Sequence, residues 1–156
     1  PPDVIEAAAD QLVSGVSEPA ALIGEMAGNH PSAIHKISTE LHQEDGEQTR
    51  RMAATILANA FVFQESLAGG PGELAIVGSF SELRAADSGL SKFGMLAEWR
   101  NILRANYWPI FDIARRILQS IPTDESKALL EKLAETAEKL VEKRLMRSHD
   151  LTGTVF

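Results

Sequence analysis

The stretch RRMAATILANAFVFQESLAGG, residues 50–70, decides the fold. Met52, Ile56, Leu57, Phe61, Val62, Phe63 and Leu67 recur at helical spacing, leaving little polar face between Ala53 and Phe63. A helix apolar on most sides is buried on most sides. Upstream, Asp45-Gly46-Glu47-Gln48 has the residue types of a capping box, Asp at the cap and Gln three residues on. Downstream, Gly69-Gly70-Pro71 ends the helix. A helix over about 46–68 is therefore predicted at the centre, with the rest of the chain packed around it.

Working outward, nearly every other segment also has helical periodicity. Val4 to Ala27 reads as two helices divided near Pro19, because an interior proline lacks its N–H and clashes with the preceding turn. Pro31 belongs in a first turn, and Ile34, Ile37, Ser38 and Leu41 share a face of the helix it opens. Residues 71–88 hold the one ambiguous stretch, ELAIVGSF, a short strand or a loop. A lone strand has nothing to pair with, which favours a loop followed by a short helix at Ser81–Ala86. Met95, Leu96, Trp99, Ile102 and Leu103 form one stripe; after Asn106-Tyr107-Trp108-Pro109, the residues Ile110, Ile113, Ala114, Ile117, Leu118 and Ile121 form another. Thr123 caps a last long helix, Asp124 to about Met146, with a seam of Leu130, Leu133, Ala137, Leu140 and Val141. The fold class is an all-α bundle of about six or seven helices, with residues 1–149 as one domain.

Composition bounds the function. A chain of 156 residues and 16.9 kDa, 44% hydrophobic and 24% charged, is one domain with its own core. No apolar run is long enough to span a bilayer, so no membrane partner is expected. With no cysteine there are no disulfides or thiolate metal sites, in keeping with a cytoplasmic location. The net charge of −7 is uneven: residues 1–49 hold nine acids and one base, while residues 50–156 are near balance. Contact with a nucleic acid, which depends on neutralising phosphates, must come from the second part.

Few motifs carry chemistry. His35 and His42 lie on one helix face near Glu40 and Glu44, but no Glu-x-x-His or His-Glu-x-x-His spacing occurs among the four histidines, so no metal site is expected. Ala-Gly-Gly-Pro-Gly-Glu follows a helix and lacks the Lys and hydroxyl of a phosphate loop. Asn106-Tyr107-Trp108-Pro109 has the residue types that hold a flipped adenine, in the wrong order; Pro109 opening a helix over Tyr107 and Trp108 explains it without catalysis. The basic residues offer more. Arg100 and Arg104 share a helix face, Arg115 and Arg116 follow on the next helix, and antiparallel packing would bring both pairs to one surface for DNA backbone contact. The competing reading pairs them with Glu98, Asp112 or the acidic N-terminal helices.

The end of the chain, Arg147-Ser148-His149-Asp150-Leu151-Thr152-Gly153-Thr154-Val155-Phe156, resembles the segment ahead of the catalytic domain in N6-adenine DNA methyltransferases of the restriction-modification type. There, Asp-Leu-x-Gly-x-x-aromatic-Gln/Glu opens a helix, and Asp150, Leu151, Gly153 and Phe156 occupy the matching positions. The stretches LHQEDGEQTRRMAATILANAFVFQESLAG and NILRANYWPIFDIARRIL are similar to the helical region preceding such domains. The family's Phe-x-Gly-x-Gly and Asn/Asp-Pro-Pro-Tyr/Phe motifs are absent, so no catalytic residue and no S-adenosylmethionine site carries over.

The resemblance implies a piece of a larger parent, an expectation also raised by the opening Pro1-Pro2 without an initiator Met. Residues 150–156 would then start a linker helix into the catalytic domain. Asp150, Leu151, Gly153, Val155 and Phe156 would make the interdomain contact, and S-adenosylmethionine would belong to the parent. Two functions are expected from different classes. One is a non-catalytic methyltransferase domain that helps to engage DNA. The other is an interaction or oligomerisation module, packing against the catalytic domain, a restriction subunit or its own copy with no direct DNA contact.

Overall fold

The computed structural model describes residues 2–87 and 89–155, with side chains described for residues 14–87 and 89–142. Among the described residues there are seven α-helices, one 3₁₀ helix and no strand. The helices are α1 (Pro2–Asn29), α2 (Pro31–Glu40), α3 (Glu47–Leu67), α4 (Phe80–Ala85), α5 (Lys92–Ala105), α6 (Pro109–Ser120) and α7 (Thr123–Val155). The 3₁₀ helix, Gly72–Ile76, lies between α3 and α4. The chain is an all-α bundle.

The central helix is α3, which packs against α1, α6 and α7. Its innermost face alternates large and small: Leu57 and Phe61 are fully buried beside Ala53, Ala54, Ala58 and Ala60. The alanines let neighbouring helices approach closely, while Leu57 and Phe61 fill the space between them. Met52, expected in the apolar face, is 37% exposed, because the helix has an outer edge near its start. Asp45 does not cap α3. Gly46 occupies the cap, and the Asp45 carboxylate instead takes a two-point hydrogen bond from Arg50, at 3.1 and 2.8 Å. A guanidinium fork is a stronger partner for a carboxylate than a backbone N–H.

Three other expectations are corrected. α1 is one helix with Pro19 inside it, not two helices divided there. Pro19 is buried, and packing of α1 along α3 and α7 offsets the lost backbone hydrogen bond. That packing is tight at Gly15, where a Cβ would collide with the Thr136 methyl of α7. Ile113 of α6 is 47% exposed, and Phe111 takes the core position beside Ala114, Ile117 and Leu118. Tyr107 is 62% exposed rather than packed beneath Pro109; Trp108 alone turns inward, edge-on to Phe63 and Phe111.

Residues 71–87 are a loop, the 3₁₀ turn and α4, which begins one residue before the predicted Ser81. Ser79 and Glu82 form the capping box here. Side chains from the core helices hold the loop. Gln64 of α3 gives its amide N–H to the Gly78 carbonyl at 3.0 Å, Glu98 of α5 accepts the Gly78 N–H at 2.7 Å, and Glu65 accepts the Phe80 N–H at 3.0 Å. Phe80 stacks on Phe61, so the loop closes one end of the core.

Candidate functional site

Helices α5 and α6 form an antiparallel hairpin whose charge opposes that of the chain. Residues 90–122 hold five bases (Lys92, Arg100, Arg104, Arg115, Arg116) and two acids (Glu98, Asp112), within a chain of net charge −7. The hairpin is anchored from inside. Met95, Trp99 and Ile102 bury one face of α5, and Phe111, Ala114, Ile117 and Leu118 bury one face of α6. Trp99 is wholly buried and donates its indole N–H to Gln64 at 2.7 Å, so the same glutamine holds both α5 and the Gly78 loop. At the open end, Lys92 donates to the Gln119 carbonyl at 3.0 Å and also to that of Ile121, capping the last turn of α6. Burial there lowers the Lys92 pKa, with the Lys36 charge adding in the same direction.

The four predicted arginines divide into two kinds. Arg115 donates to Asp112 at 3.0 Å, and Arg116 lies 3.3 Å from Asp112 and 3.9 Å from Glu40 of α2. The Arg115 hydrogen bond holds the Asp112 carboxyl below the usual carboxylate range; Arg116 and the Tyr107 hydroxyl, 3.3 Å away, act in the same direction. Much of the positive charge of α6 is thus matched within the fold. Glu98, the acid nearest Arg100 in sequence, is committed to the Gly78 N–H. Arg100 and Arg104 are exposed and have no acid within ion-pair distance among the described residues.

With Met95, Trp99 and Ile102 turned inward, 100° per residue places Phe93, Arg100 and Arg104 on the outward face of α5. Phe93 is 72% exposed, and Tyr107 follows the last turn. These two exposed aromatics beside the free arginines were missed in the sequence. Phe93 and Phe111 look alike as letters, and only the angular offset of Phe93 from Trp99 separates surface from core. The interdomain residues Asp150, Leu151, Gly153, Val155 and Phe156 lie outside the residues whose side chains are described. α7 runs without a break from Thr123 to Val155, so the last helix does not end near Met146 and no separate helix opens at Asp150.

One further cluster was invisible in the sequence. His30, at the corner between α1 and α2, faces the first turn of α7: its Nε2 is 3.7 Å from Asp124 Oδ2 and 3.7 Å from Glu125 Oε1. About ninety residues separate these groups along the chain, so no spacing rule applies. Elsewhere in the described core, every buried side-chain polar atom has a hydrogen-bond partner. Among the described residues no helix is long and apolar enough to cross a membrane. No family model, curated protein or solved structure matches this chain.

Proposed function

We propose that this chain is a non-catalytic helical domain of an N6-adenine DNA methyltransferase of the restriction-modification type, and that it meets DNA through the outward face of α5. The observation that carries the DNA contact is the pair Arg100 and Arg104, one turn apart, exposed and without an acid in ion-pair distance among the described residues of an acidic chain. The rise between them is about 6 Å, suited to neighbouring phosphates of one strand. Arg115 and Arg116, paired with Asp112 and Glu40, contribute less to the contact. S-adenosylmethionine and the catalytic residues belong to the parent protein, in the cytoplasm.

DNA affinity measured against salt with the parent protein tests the contact. Replacing both arginines, R100A/R104A, flattens the slope of log K against log salt by about 2, near 0.9 per lost phosphate contact. An unchanged slope removes the DNA reading. The parent gene tests the family: Gln or Glu follows Phe156, then a basic, leucine-rich stretch and Phe-Tyr-Thr.

A second reading, a protein interaction module without DNA contact, rests on Phe93, Tyr107 and Ile113, which are 72%, 62% and 47% exposed on the α5–α6 hairpin. Under it, F93D changes oligomeric state or subunit binding in sedimentation, and R100A/R104A leaves DNA affinity intact.

A further inference from the structure

We infer that His30, Asp124 and Glu125 form a binding site for a zinc-type divalent transition-metal ion, joining the α1–α2 corner to the first turn of α7. One ligand atom from each of the three side chains lies within 4.8 Å of the others. Both histidine–carboxylate distances are 3.7 Å. A tetrahedral ion with ligands about 2.0–2.2 Å away holds them about 3.4 Å apart, so small side-chain rotations close the site.

The ligand types select the ion. An imidazole nitrogen with two carboxylates suits zinc and its first-row neighbours, whereas calcium and magnesium take oxygen ligands throughout. The two carboxylates also balance the charge of the ion.

The backbone fixes where the ligands stand. The His30 N–H donates to the Met26 carbonyl at 2.6 Å, ending α1, and Pro31 immediately opens α2. The Glu125 N–H donates to the Pro122 carbonyl at 3.1 Å in the turn that starts α7. A groove of about 440 Å³, lined by Leu22, Met26, Lys127, Ala128, Glu131 and the two ligand carboxylates, adjoins the cluster. It leaves room for water or an added ligand at a fourth position. Three protein ligands and one open position make a zinc site accessible to exchange.

The same distances also fit a protonated histidine paired with two acids and no metal, and the test separates the two. Titrate the full chain with Co²⁺, following its visible absorption, and with Zn²⁺ against a chromophoric chelator, at a pH where imidazole is neutral. The expected result is saturation at one ion per chain. H30Q and D124N/E125Q each weaken binding by about tenfold or more, while H35Q/H42Q leaves it unchanged. Far-ultraviolet circular dichroism confirms that each variant is folded. Zn²⁺ also raises the melting temperature of the wild-type chain but not of H30Q. Equal binding by wild type and H30Q, loss of binding in H35Q/H42Q, or no saturable binding overturns the site. None of these results depends on DNA contact.

Discussion

On its inward side α5 carries Trp99, fully buried and hydrogen-bonded to Gln64, whereas on its outward side Arg100 and Arg104 reach solvent with no acid in ion-pair distance among the described residues. The two sides share one helix and differ in what pairs their polar groups. Inside, low dielectric makes an unpaired N–H costly, so Gln64 answers both Trp99 and Gly78. Outside, water solvates the guanidinium groups, and the fold has no need to pair them. α6 lies between these limits: its arginines are partly exposed, yet Asp112 ties both down. Charge kept free beside charge that is paired is the feature that a binding role would use.

The inward side should fail first. W99A removes a wholly buried indole that packs on Phe61 and Phe111, and should cost about 3–5 kcal/mol in chemical denaturation. A loss under about 1 kcal/mol would mean that the aromatic cluster does not hold α5 in place. Q64L should cost about 1–3 kcal/mol, because the Trp99 N–H and Gly78 carbonyl lose their partner while the leucine keeps the packing.

The paired charges should matter less and should depend on pH. The lowered pKa of Asp112 means that its contribution is present above the unfolded carboxylate's value, about 3.9, and is lost as pH falls through the folded value. D112N should therefore cost about 0.5 kcal/mol at neutral pH and nothing in strong acid. Glu65 runs the other way. Burial raises its pKa despite the Phe80 N–H, so the folded state loses stability as pH rises from the ordinary carboxylate range through the raised value. E65Q keeps an acceptor for Phe80, and should flatten that decline in a pH series of melting temperatures.

The smallest effect on stability is expected outside. R100A/R104A should change unfolding free energy by no more than about 0.5 kcal/mol, since both side chains are exposed and neither has an ion-pair partner among the described residues. A larger loss would show that the outward face of α5 is part of the fold, and would remove the contrast between its two sides.

Most helices are legible in the sequence, for a local reason. The stripes Met95–Trp99–Ile102 and Leu130–Leu133–Ala137 repeat at the helical period, and burial follows the period. Pro31 and Pro109 mark starts that the backbone chemistry of proline dictates, whereas Thr123, expected as a cap, is the first residue of α7. Pro19 was misread because the rule against interior proline is also local. Tertiary packing along α3 and α7 outweighed it. Tyr107 and Ile113 were misread because an apolar letter on a stripe does not say how wide the buried face is.

The sequence by itself determined the helical class, the central position of α3 and the separation of an acidic first third from the rest, since each depends on composition or on residues a turn or two apart. Only the tertiary structure decided which arginines stay free, that Gln64 links Trp99 to the Gly78 loop, and that His30 meets Asp124 and Glu125. Those facts turn on which helices pack together, and distances of a few ångströms between segments far apart in the chain are set by the whole core at once.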